Sequence, residues 1–281
     1  MTVPGARGAR IGVLGSDSTH VDAFLRHFNV ESRYPGLRIT SALSANPDRD
    51  EELTDLGVDV APSTEALLAG CDGVIVAHRD GRTHASFAGH AISAGRPTFV
   101  DKPLATTQSD ATRLVRTASL MSVPLGTGSV MQWHPGVLAS RGKGSSRVVV
   151  VGPAQLDCRH GGLFFYGIHA AEAACAVALA GATGPLPEEV TVELKGDEVV
   201  VRARLAGCRI ELRLLDAPPG EGDFRMDLGD GERVLGLPED YLAPVSSTIA
   251  GVMAGTPETG LGPAVAATTL LEAATCQLRR N

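Results

Sequence analysis

Lys102 is the residue whose type and position point most directly to chemistry. It follows the short apolar run Pro97–Val100, which is typical of a buried strand, and Pro103 comes directly after it. Because a residue before proline is held extended, the lysine is expected at the carboxyl edge of a sheet. A lysine in a cleft there acts as a general base or acid toward a substrate hydroxyl if burial lowers its pKa. The alternative is a solvated lysine at the end of a strand.

A second group of polar side chains stands at the predicted start of a helix. It consists of Tyr166, His169 and Glu172. A histidine in the first turn of a helix is kept neutral, which suits proton transfer, and Glu172 lies on the same helical face. Tyr166 is either a third polar group or an aromatic ring that packs the domain junction. A His/Glu pair can also ligate a metal, but two ligands do not complete a site, so no metal is predicted.

The elements that position Lys102 follow an alternating pattern. Short apolar runs of strand length alternate with amphipathic stretches, which indicates a parallel sheet with helices on both faces. The fold class is therefore α/β with an N-terminal doubly wound, Rossmann-like sheet, whose ligand lies at the carboxyl ends of the strands. The predicted strands are Ile11–Leu14, Leu37–Leu43, Gly73–Ala77 and Pro97–Val100; the predicted helices are Val21–Phe28, Asp50–Leu56, Thr64–Leu68, Thr83–Ala94 and Ser109–Ser119.

The pattern changes after Ser140. A Gly/Ser-rich connection precedes one helix and several strands joined by tight turns, which is typical of an antiparallel sheet. We predict residues 1–130 as the Rossmann-like dinucleotide-binding domain and residues 131–281 as an α+β substrate and oligomerisation domain. The strands are predicted at Val148–Val151, Val190–Leu194, Val199–Leu205, Arg209–Leu215 and Phe224–Leu228, and the helices at Ile168–Leu179, Val245–Met253 and Pro263–Leu278.

Composition narrows the class of partner and compartment. The net charge of −7 argues against nucleic acid or an anionic membrane as a partner, and no run approaches the roughly 18 apolar residues of a membrane span. The apolar stretch after the basic N-terminus is shorter than the roughly 7–15 residues of a signal-peptide core. The 5 cysteines are scattered and odd in number, which favours a reducing compartment. A cytoplasmic location is therefore predicted.

Four segments together resemble a known family. They are Ile11–His20, Gly73–His84, Gly95–Ala105 and Tyr166–Glu172, and their order and spacing are similar to those of the glucose–fructose oxidoreductase / inositol dehydrogenase / MocA (Gfo/Idh/MocA) family. The resemblance implies that Lys102 sits near the nicotinamide and the reacting carbon. It implies a proton-transfer or substrate-hydroxyl role for His169. Homo-oligomers through the second-domain sheet are also expected by resemblance.

The chain departs from the family pattern at several of these positions. The family more often has glutamate before the lysine, where this chain has Asp101, and aspartate where it has Glu172. Relatives commonly have Arg-Phe ahead of a proline where this chain has Gln132 and Trp133, so Gln132 replaces the arginine. The loop after the strand at 73–77 flanks the nicotinamide in the family, so its cationic side chains can hold a substrate anion or a cofactor phosphate, or else form a solvated turn. The candidate substrate ligands are Lys102, Arg82, Trp133, Arg159, His160, His169 and Glu172.

The glycine-rich turn of the dinucleotide pattern is altered. Gly15 keeps the first glycine, but Asp17 replaces the second and His20 the third. The acid that would bind the adenosine ribose of NAD is replaced by Ser44, with Arg49 nearby, and this slightly favours NADP. The cofactor is predicted as NADP or NAD, or none. The candidate cofactor ligands are Gly15, Ser16, Asp17, Ser18, Thr19, His20, Ser44, His84 and Lys102.

Three functions are compatible with the sequence. The first is an NAD(P)-dependent oxidoreductase of a sugar, polyol or cyclitol-like small molecule, with Lys102 as the acid/base and His169 and Tyr166 as its companions. The second is an elimination, epimerisation or isomerisation on the same scaffold with a recycled cofactor or none; Asp17 and Ser44 favour it. The third is a catalytically silent binding or regulatory protein, for which Lys102 is dispensable.

Overall fold

The first sheet of the computed structural model contains six parallel strands in the order β3-β2-β1-β4-β5-β6. The model describes residues 8–217, 222–256 and 260–280. The strands are β1 (Ala9–Leu14), β2 (Leu37–Leu43), β3 (Asp59–Val60), β4 (Gly73–Val76), β5 (Thr98–Val100) and β6 (Leu125–Thr127). The helices between them are α1 (Thr19–Leu25), α2 (Pro47–Asp55), α3 (Thr64–Gly70), α4 (His84–Ser93) and α5 (Gln108–Met121). The predicted doubly wound sheet is confirmed.

Local signals in the sequence explain several of these boundaries. Ser63 caps α3, since its Oγ accepts a hydrogen bond from the Ala66 N–H at 3.2 Å. Gly95, with φ +71°, follows the end of α4. Two strands, β3 and β6, have no counterpart in the sequence prediction, because two and three residues are too few to show an apolar period. The helix predicted to reach Phe28 instead changes into a π-helical turn at Arg26–Val30.

The strand order creates the crevice in which a ligand would lie. β1 pairs with β2 on one side and β4 on the other, so the winding reverses between β1 and β4. Ligands of open α/β sheets bind at such a switch point, beyond the carboxyl ends of the strands. His20 stands there in the first turn of α1, and the loops that leave β4 and β5 carry His78 and Lys102.

The second sheet has the order β12-β11-β7-β10-β9-β8 and is antiparallel except for the pairing of β7 with β10. This confirms the predicted mostly antiparallel sheet. Its strands are β7 (Arg147–Ala154), β8 (Glu188–Lys195), β9 (Glu198–Leu205), β10 (Cys208–Asp216), β11 (Arg225–Asp227) and β12 (Glu232–Val234). The helices of this half are α6 (Pro135–Leu138), α7 (Phe164–Ala178), α8 (Ala243–Met253) and α9 (Leu261–Leu278).

α7 begins earlier than predicted, and this corrects the placement of His169. Gly161 and Gly162 both have positive φ, 114° and 57°, so the chain turns sharply there and the helix begins at Phe164. His169 consequently lies in the second turn of α7, beyond the exposed N–H groups of the helix start. Its neutral state therefore has another cause, which is its burial.

The last helix returns to the first sheet. α9 packs against α5 and β6 as well as against α7. The Gln108 N–H at the start of α5 donates to Glu272 Oε2 on α9 at 2.7 Å, and Thr268 Oγ donates to the Ala105 carbonyl at 3.2 Å. The domain boundary between residues 130 and 131 stays a prediction. α9 contacts elements that come before this boundary as well as elements that come after it.

We predict that Gly15→Ala destabilises the fold more than a matched control. Gly15 has φ +90°, and a Cβ there would lie 2.5 Å from the backbone nitrogen of His78. The matched control is Gly57→Ala. Gly57 also has a positive φ, +71°, but the atom nearest to an added Cβ would be 3.6 Å away. Backbone strain alone costs about 1–3 kcal/mol, so both variants lower the free energy of unfolding and Gly15→Ala lowers it further. Urea unfolding measures both; equal losses would contradict the close packing of the β1 turn.

Candidate active site

A cavity of about 500 Å³ lies at the carboxyl edge of the first sheet. Its walls come from the loops after β1, β4 and β5, from the first turns of α7, and from the segments 222–224 and 235–241. Lys102, His169 and Tyr166, the three predicted catalytic residues, all line it. The cavity therefore brings Lys102 together with two side chains that follow it by 64 or more positions in the sequence.

Lys102 lies in this cavity against an aromatic ring. Its Nζ is 5.2 Å from the centroid of Phe165, and within the described part of the chain no carboxylate lies within salt-bridge distance of it. Burial lowers the pKa of Lys102, while the carboxyl groups of Asp101 and Glu172 raise it. Because the net shift is downward, the neutral amine is more populated near neutral pH than in a solvated lysine.

His20 and Asp101 are joined by a hydrogen bond beside Lys102. His20 Nδ1 lies 2.9 Å from Asp101 Oδ2, and the carboxylate is buried, with 5% of the residue exposed. Burial disfavours the charged carboxylate, but the side chains of His20, Lys102 and His84 outweigh it and hold the pKa of Asp101 below its usual range. Asp101 is thus a fixed negative charge between the first helix and the end of β5.

His169 is oriented by Ser129, which precedes a short 3₁₀ turn. His169 Nδ1 lies 2.6 Å from Ser129 Oγ, and the Met131 N–H donates to the same Oγ at 3.0 Å. We assign the serine O–H as the donor to Nδ1, which leaves a proton on Nε2. Burial, followed by the charges of Lys102 and His20, lowers the pKa of His169 well below its ordinary value. The neutral ring therefore keeps an Nε2–H donor for a ligand in the cavity.

Glu172 is buried behind His169 rather than exposed to the cavity. Its Oε2 accepts hydrogen bonds from the Ser129 N–H and from Gln132 Nε2, while Oε1 is buried without a partner among the described residues. Burial raises the pKa of Glu172 to about 7. The residue predicted as a substrate ligand thus fixes Ser129, and through it the ring of His169.

The predicted cofactor ligands of the β1 turn separate into two sets. Ser18, Thr19 and His20 line the cavity. Gly15 and Ser16 are buried, Asp17 is exposed, and the Ser44 hydroxyl bonds to the backbone of its own loop at Asn46. Two buried polar atoms near the turn, Ser16 Oγ and His78 Nδ1, have no partner in the described ranges.

His84 is not available to a cofactor, contrary to the sequence prediction. It is fully buried, and each ring nitrogen is within hydrogen-bond distance of a backbone carbonyl oxygen. Nδ1 lies 2.6 Å from the Pro103 oxygen, and Nε2 lies 2.7 Å from the His78 oxygen. The ring therefore fastens the loop after β4 to the loop after β5. This holds the backbone next to Lys102 in place.

Apart from Glu172, four of the predicted substrate ligands lie outside the cavity lining. Arg82 bonds to Asp80 and to the Arg159 carbonyl, and the Arg159 guanidinium bonds to His160. These three residues fasten two surface loops to each other. Trp133 is half-buried and packs against the core. The sequence shows the charge and the position of these side chains, but it does not show that each of them already contacts other residues of the protein.

The structure adds cavity residues that the sequence prediction lacked. Phe165, Phe224 and Tyr241 supply apolar and aromatic walls. Arg79, one of the cationic side chains expected on the loop after β4, also lines the cavity, 5.7 Å from the centroid of the Phe165 ring. Phe165 directly precedes the Tyr166–Glu172 motif, and this is the one sequence feature that could have identified it as a cavity residue. Phe224 and Tyr241 lie in segments without a motif. Among the residues described, no three His, Cys, Asp or Glu side chains are placed to hold a metal, and no helix is sufficiently long and apolar to cross a membrane.

We predict that Glu172→Gln flattens the pH dependence of stability. The pKa of Glu172 is raised from its ordinary 4.5 to about 7 in the fold, so between these pH values the folded state binds more protons than the unfolded state. Stability from this group is therefore present below pH 4.5 and is lost as the pH rises to 7.

Urea unfolding at pH 5 and pH 8 measures the effect. The wild type should lose more free energy of unfolding between the two pH values than Glu172→Gln does, by an amount on the order of 1–3 kcal/mol. Glu51→Gln, which changes an exposed carboxylate on α2, should follow the wild type. The same slope in all three proteins would mean that Glu172 titrates normally.

Comparisons with known proteins find a family match for the N-terminal part of the chain. Residues 9–129 match the model of the oxidoreductase family with an NAD-binding Rossmann fold, GFO_IDH_MocA. Inositol 2-dehydrogenase of Acidiphilium cryptum (strain JF-5) is 33% identical over 114 residues, which span 38% of this chain and 32% of that protein. The match to these curated relatives therefore covers about a third of their length.

Solved structures extend the likeness in fold to both halves of the chain. UDP-N-acetylglucosamine 3-dehydrogenase GnnA from Acidithiobacillus ferrooxidans has a TM-score of 0.71 at 18% identity, over 97% of each chain. The WlbA (WbpB) dehydrogenase from Thermus thermophilus, solved with NAD and alpha-ketoglutarate, has a TM-score of 0.75 at 15% identity, over 95% of this chain and 94% of that one. The resemblance seen in the sequence is thus confirmed over residues 9–129, which match the model of the Gfo/Idh/MocA oxidoreductase family.

Proposed function

We propose that this protein is an NAD-dependent oxidoreductase that interconverts a hydroxyl and a ketone on a sugar, polyol or cyclitol-like small molecule, with Lys102 as the acid/base. The observation that carries the proposal is the position of Lys102. Its amine lies in the cavity at the switch point of the sheet, against Phe165, with no carboxylate within salt-bridge distance in the described part of the chain. The dehydrogenase names of the similar proteins support the same class of reaction.

The residues present fit a dinucleotide at the β1–β4 crevice. Ser18 and Thr19 line the cavity and can donate hydrogen bonds to it. The unpartnered Ser16 Oγ and His78 Nδ1 flank the same turn, and buried polar atoms of this kind are normally satisfied by a partner. When bound, the dinucleotide supplies the hydride acceptor or donor for the carbon that carries the hydroxyl.

The protein residues supply proton transfer and orientation. In the oxidation direction the neutral Lys102 amine takes the proton of the substrate hydroxyl, and in reduction the ammonium returns it. The Nε2–H of His169 donates a hydrogen bond to a substrate oxygen, and the serine on its other nitrogen keeps the ring in that orientation. Phe165, Phe224 and Tyr241 limit the access of water to the reacting groups.

NAD rather than NADP is proposed, because Arg49 is already neutralised. Its guanidinium bonds to Asp22 at 2.5 Å, to Glu52 at 2.7 Å and to the Ser16 carbonyl at 3.1 Å. Three of its five N–H groups are engaged in this way, and the two carboxylates beside it would repel a dianionic 2′-phosphate. The sequence alone slightly favoured NADP, since it showed the arginine but not its partners. The homo-oligomeric state and the cytoplasmic location stay predictions.

We predict that Lys102→Met abolishes turnover. Loss of a general acid/base typically costs about 10²–10⁴-fold in rate, and methionine keeps the apolar part of the side chain. Reduction of NAD with a panel of polyols and cyclitols, followed at 340 nm as is usual for reduced nicotinamide, measures kcat/KM. Lys143→Met, at an exposed position of the Gly/Ser-rich connection, is the matched control. Full activity in Lys102→Met would refute the proposed role.

The wild-type pH profile provides a second test of Lys102. A base must be deprotonated, so kcat/KM for oxidation should rise with pH and reach a plateau. Because burial lowers the pKa of Lys102 from 10.5, the plateau should be reached below the pH at which a solvated lysine titrates.

We predict that NADH binds roughly tenfold or more tightly than NADPH, a difference of about 1.4 kcal/mol or more. The physical reason is the pairing of Arg49 with two carboxylates. Isothermal titration calorimetry with both dinucleotides measures it. Equal or tighter binding of NADPH would show that the arginine leaves its partners to bind the 2′-phosphate.

A further inference from the structure

His20 occupies the cavity at a position where the dinucleotide pattern has its third glycine. That glycine lets the helix pack closely against the strand. Here an imidazole extends from the first turn of α1 to the end of β5, where Nδ1 lies 2.9 Å and 3.2 Å from the two carboxylate oxygens of Asp101. The side chain is 13% exposed and lines the cavity.

Asp101 has a fixed backbone and a single side-chain partner in the described residues. Its N–H donates to the Val76 carbonyl at 2.7 Å, which extends the pairing of β4 with β5 by one residue. A carboxylate only accepts hydrogen bonds, so the proton of a neutral His20 ring is held on Nδ1. The free electron pair is then on Nε2, which has no hydrogen-bond partner among the described residues.

The surroundings of the ring restrict its movement. Phe24 and Tyr241 both contact it edge-on, with ring centroids at 6.3 Å. The His20 ring lines the ligand cavity, its Nδ1 contacts a buried carboxylate, and its Nε2 has no hydrogen-bond partner among the described residues. This is the arrangement of a general base, because the carboxylate also stabilises the imidazolium that forms. The cavity therefore holds two basic groups, one in the first turn of α1 and one on the loop after β5.

We propose that His20, oriented by Asp101, removes a proton from the carbon next to the ketone of a polyhydroxylated substrate, so that the protein exchanges this hydrogen with solvent. The proposal deepens the proposed function, since the ketone is the oxidised form of the same class of substrate. The C–H bond breaks and its proton goes to His20 Nε2. The electron pair of that bond forms the enol double bond, and the carbonyl electrons move to the oxygen, next to the Lys102 ammonium.

The reverse step completes the exchange. Imidazolium exchanges its proton with water and returns a solvent-derived proton to the same carbon, which restores the ketone. No oxidant or reductant is consumed. Asp101 is a positioning residue in this step, because it acts on the substrate only through the His20 ring.

The test is deuterium incorporation from D₂O into ketones. Purified protein is incubated with 2-keto-myo-inositol, and with each ketone that it forms from the polyol and cyclitol panel. Loss of the proton signal next to the carbonyl and the gain in mass are followed by NMR and mass spectrometry. We expect at least one ketone to exchange about 10²-fold or more faster than without protein. His20→Gln should return the rate to background, whereas His90→Gln, at an exposed position of α4, should not change it.

Asp101→Asn separates positioning from folding. The amide no longer fixes the proton on Nδ1, so ¹⁵N NMR should show that the protonated nitrogen of His20 changes, and exchange should slow in a protein with an unchanged fold. An unchanged ¹⁵N pattern together with slow exchange would contradict the positioning role.

The outcomes distinguish this inference from the proposed function. Reduction of NAD by a polyol without deuterium in the resulting ketone overturns the inference and leaves the oxidoreductase proposal intact. Exchange without reduction of NAD supports the inference and contradicts the oxidoreductase. No exchange above background with any ketone, or equal exchange in His20→Gln and His90→Gln, overturns the inference.

Discussion

The hydrogen bond between His20 and Asp101 is the interaction on which the geometry of the site depends. It joins the first turn of α1 to the carboxyl end of β5 across the switch point of the sheet. Asp101 is buried, so its charge requires a cationic or hydrogen-bonding partner, and the imidazole supplies one. With the carboxylate engaged by His20, the neighbouring Lys102 lies against Phe165 instead of in a close ion pair.

The second half of the chain completes this arrangement from the opposite side. Ser129 and Gln132 bind the buried Glu172, and Ser129 also binds His169, so α7 and the 3₁₀ turn after β6 are locked to each other. Gly128 permits this contact, because a Cβ there would lie 2.6 Å from Gln132 Nε2. The cavity is therefore formed by both halves, and its polar groups are paired across them.

Much of the fold could be predicted from the sequence, because the apolar runs of β1, β2, β4 and β5 and the caps of their helices are local signals. Lys102 was found for the same reason: a strand and a proline fix its position. The partners of the other residues could not be predicted. His84 and Arg82 satisfy backbone carbonyls and a carboxylate, and Arg49 satisfies Asp22 and Glu52, all through contacts that depend on how loops approach in space. His169 was placed in the wrong helical turn because the effect of two positive-φ glycines is not visible in the pattern.

Lys102 is half-buried beside a charged Asp101, and desolvation of its amine lowers its pKa. The most direct measurement is a ¹³C NMR titration of lysine side chains labelled at Cε, with the Lys102 signal assigned from its absence in Lys102→Arg. We expect Lys102 to titrate below the ordinary lysine pKa of 10.5, because burial outweighs the attraction of Asp101 and Glu172. Titration at or above 10.5 would contradict it, and would show that the neighbouring carboxylates keep the amine fully charged.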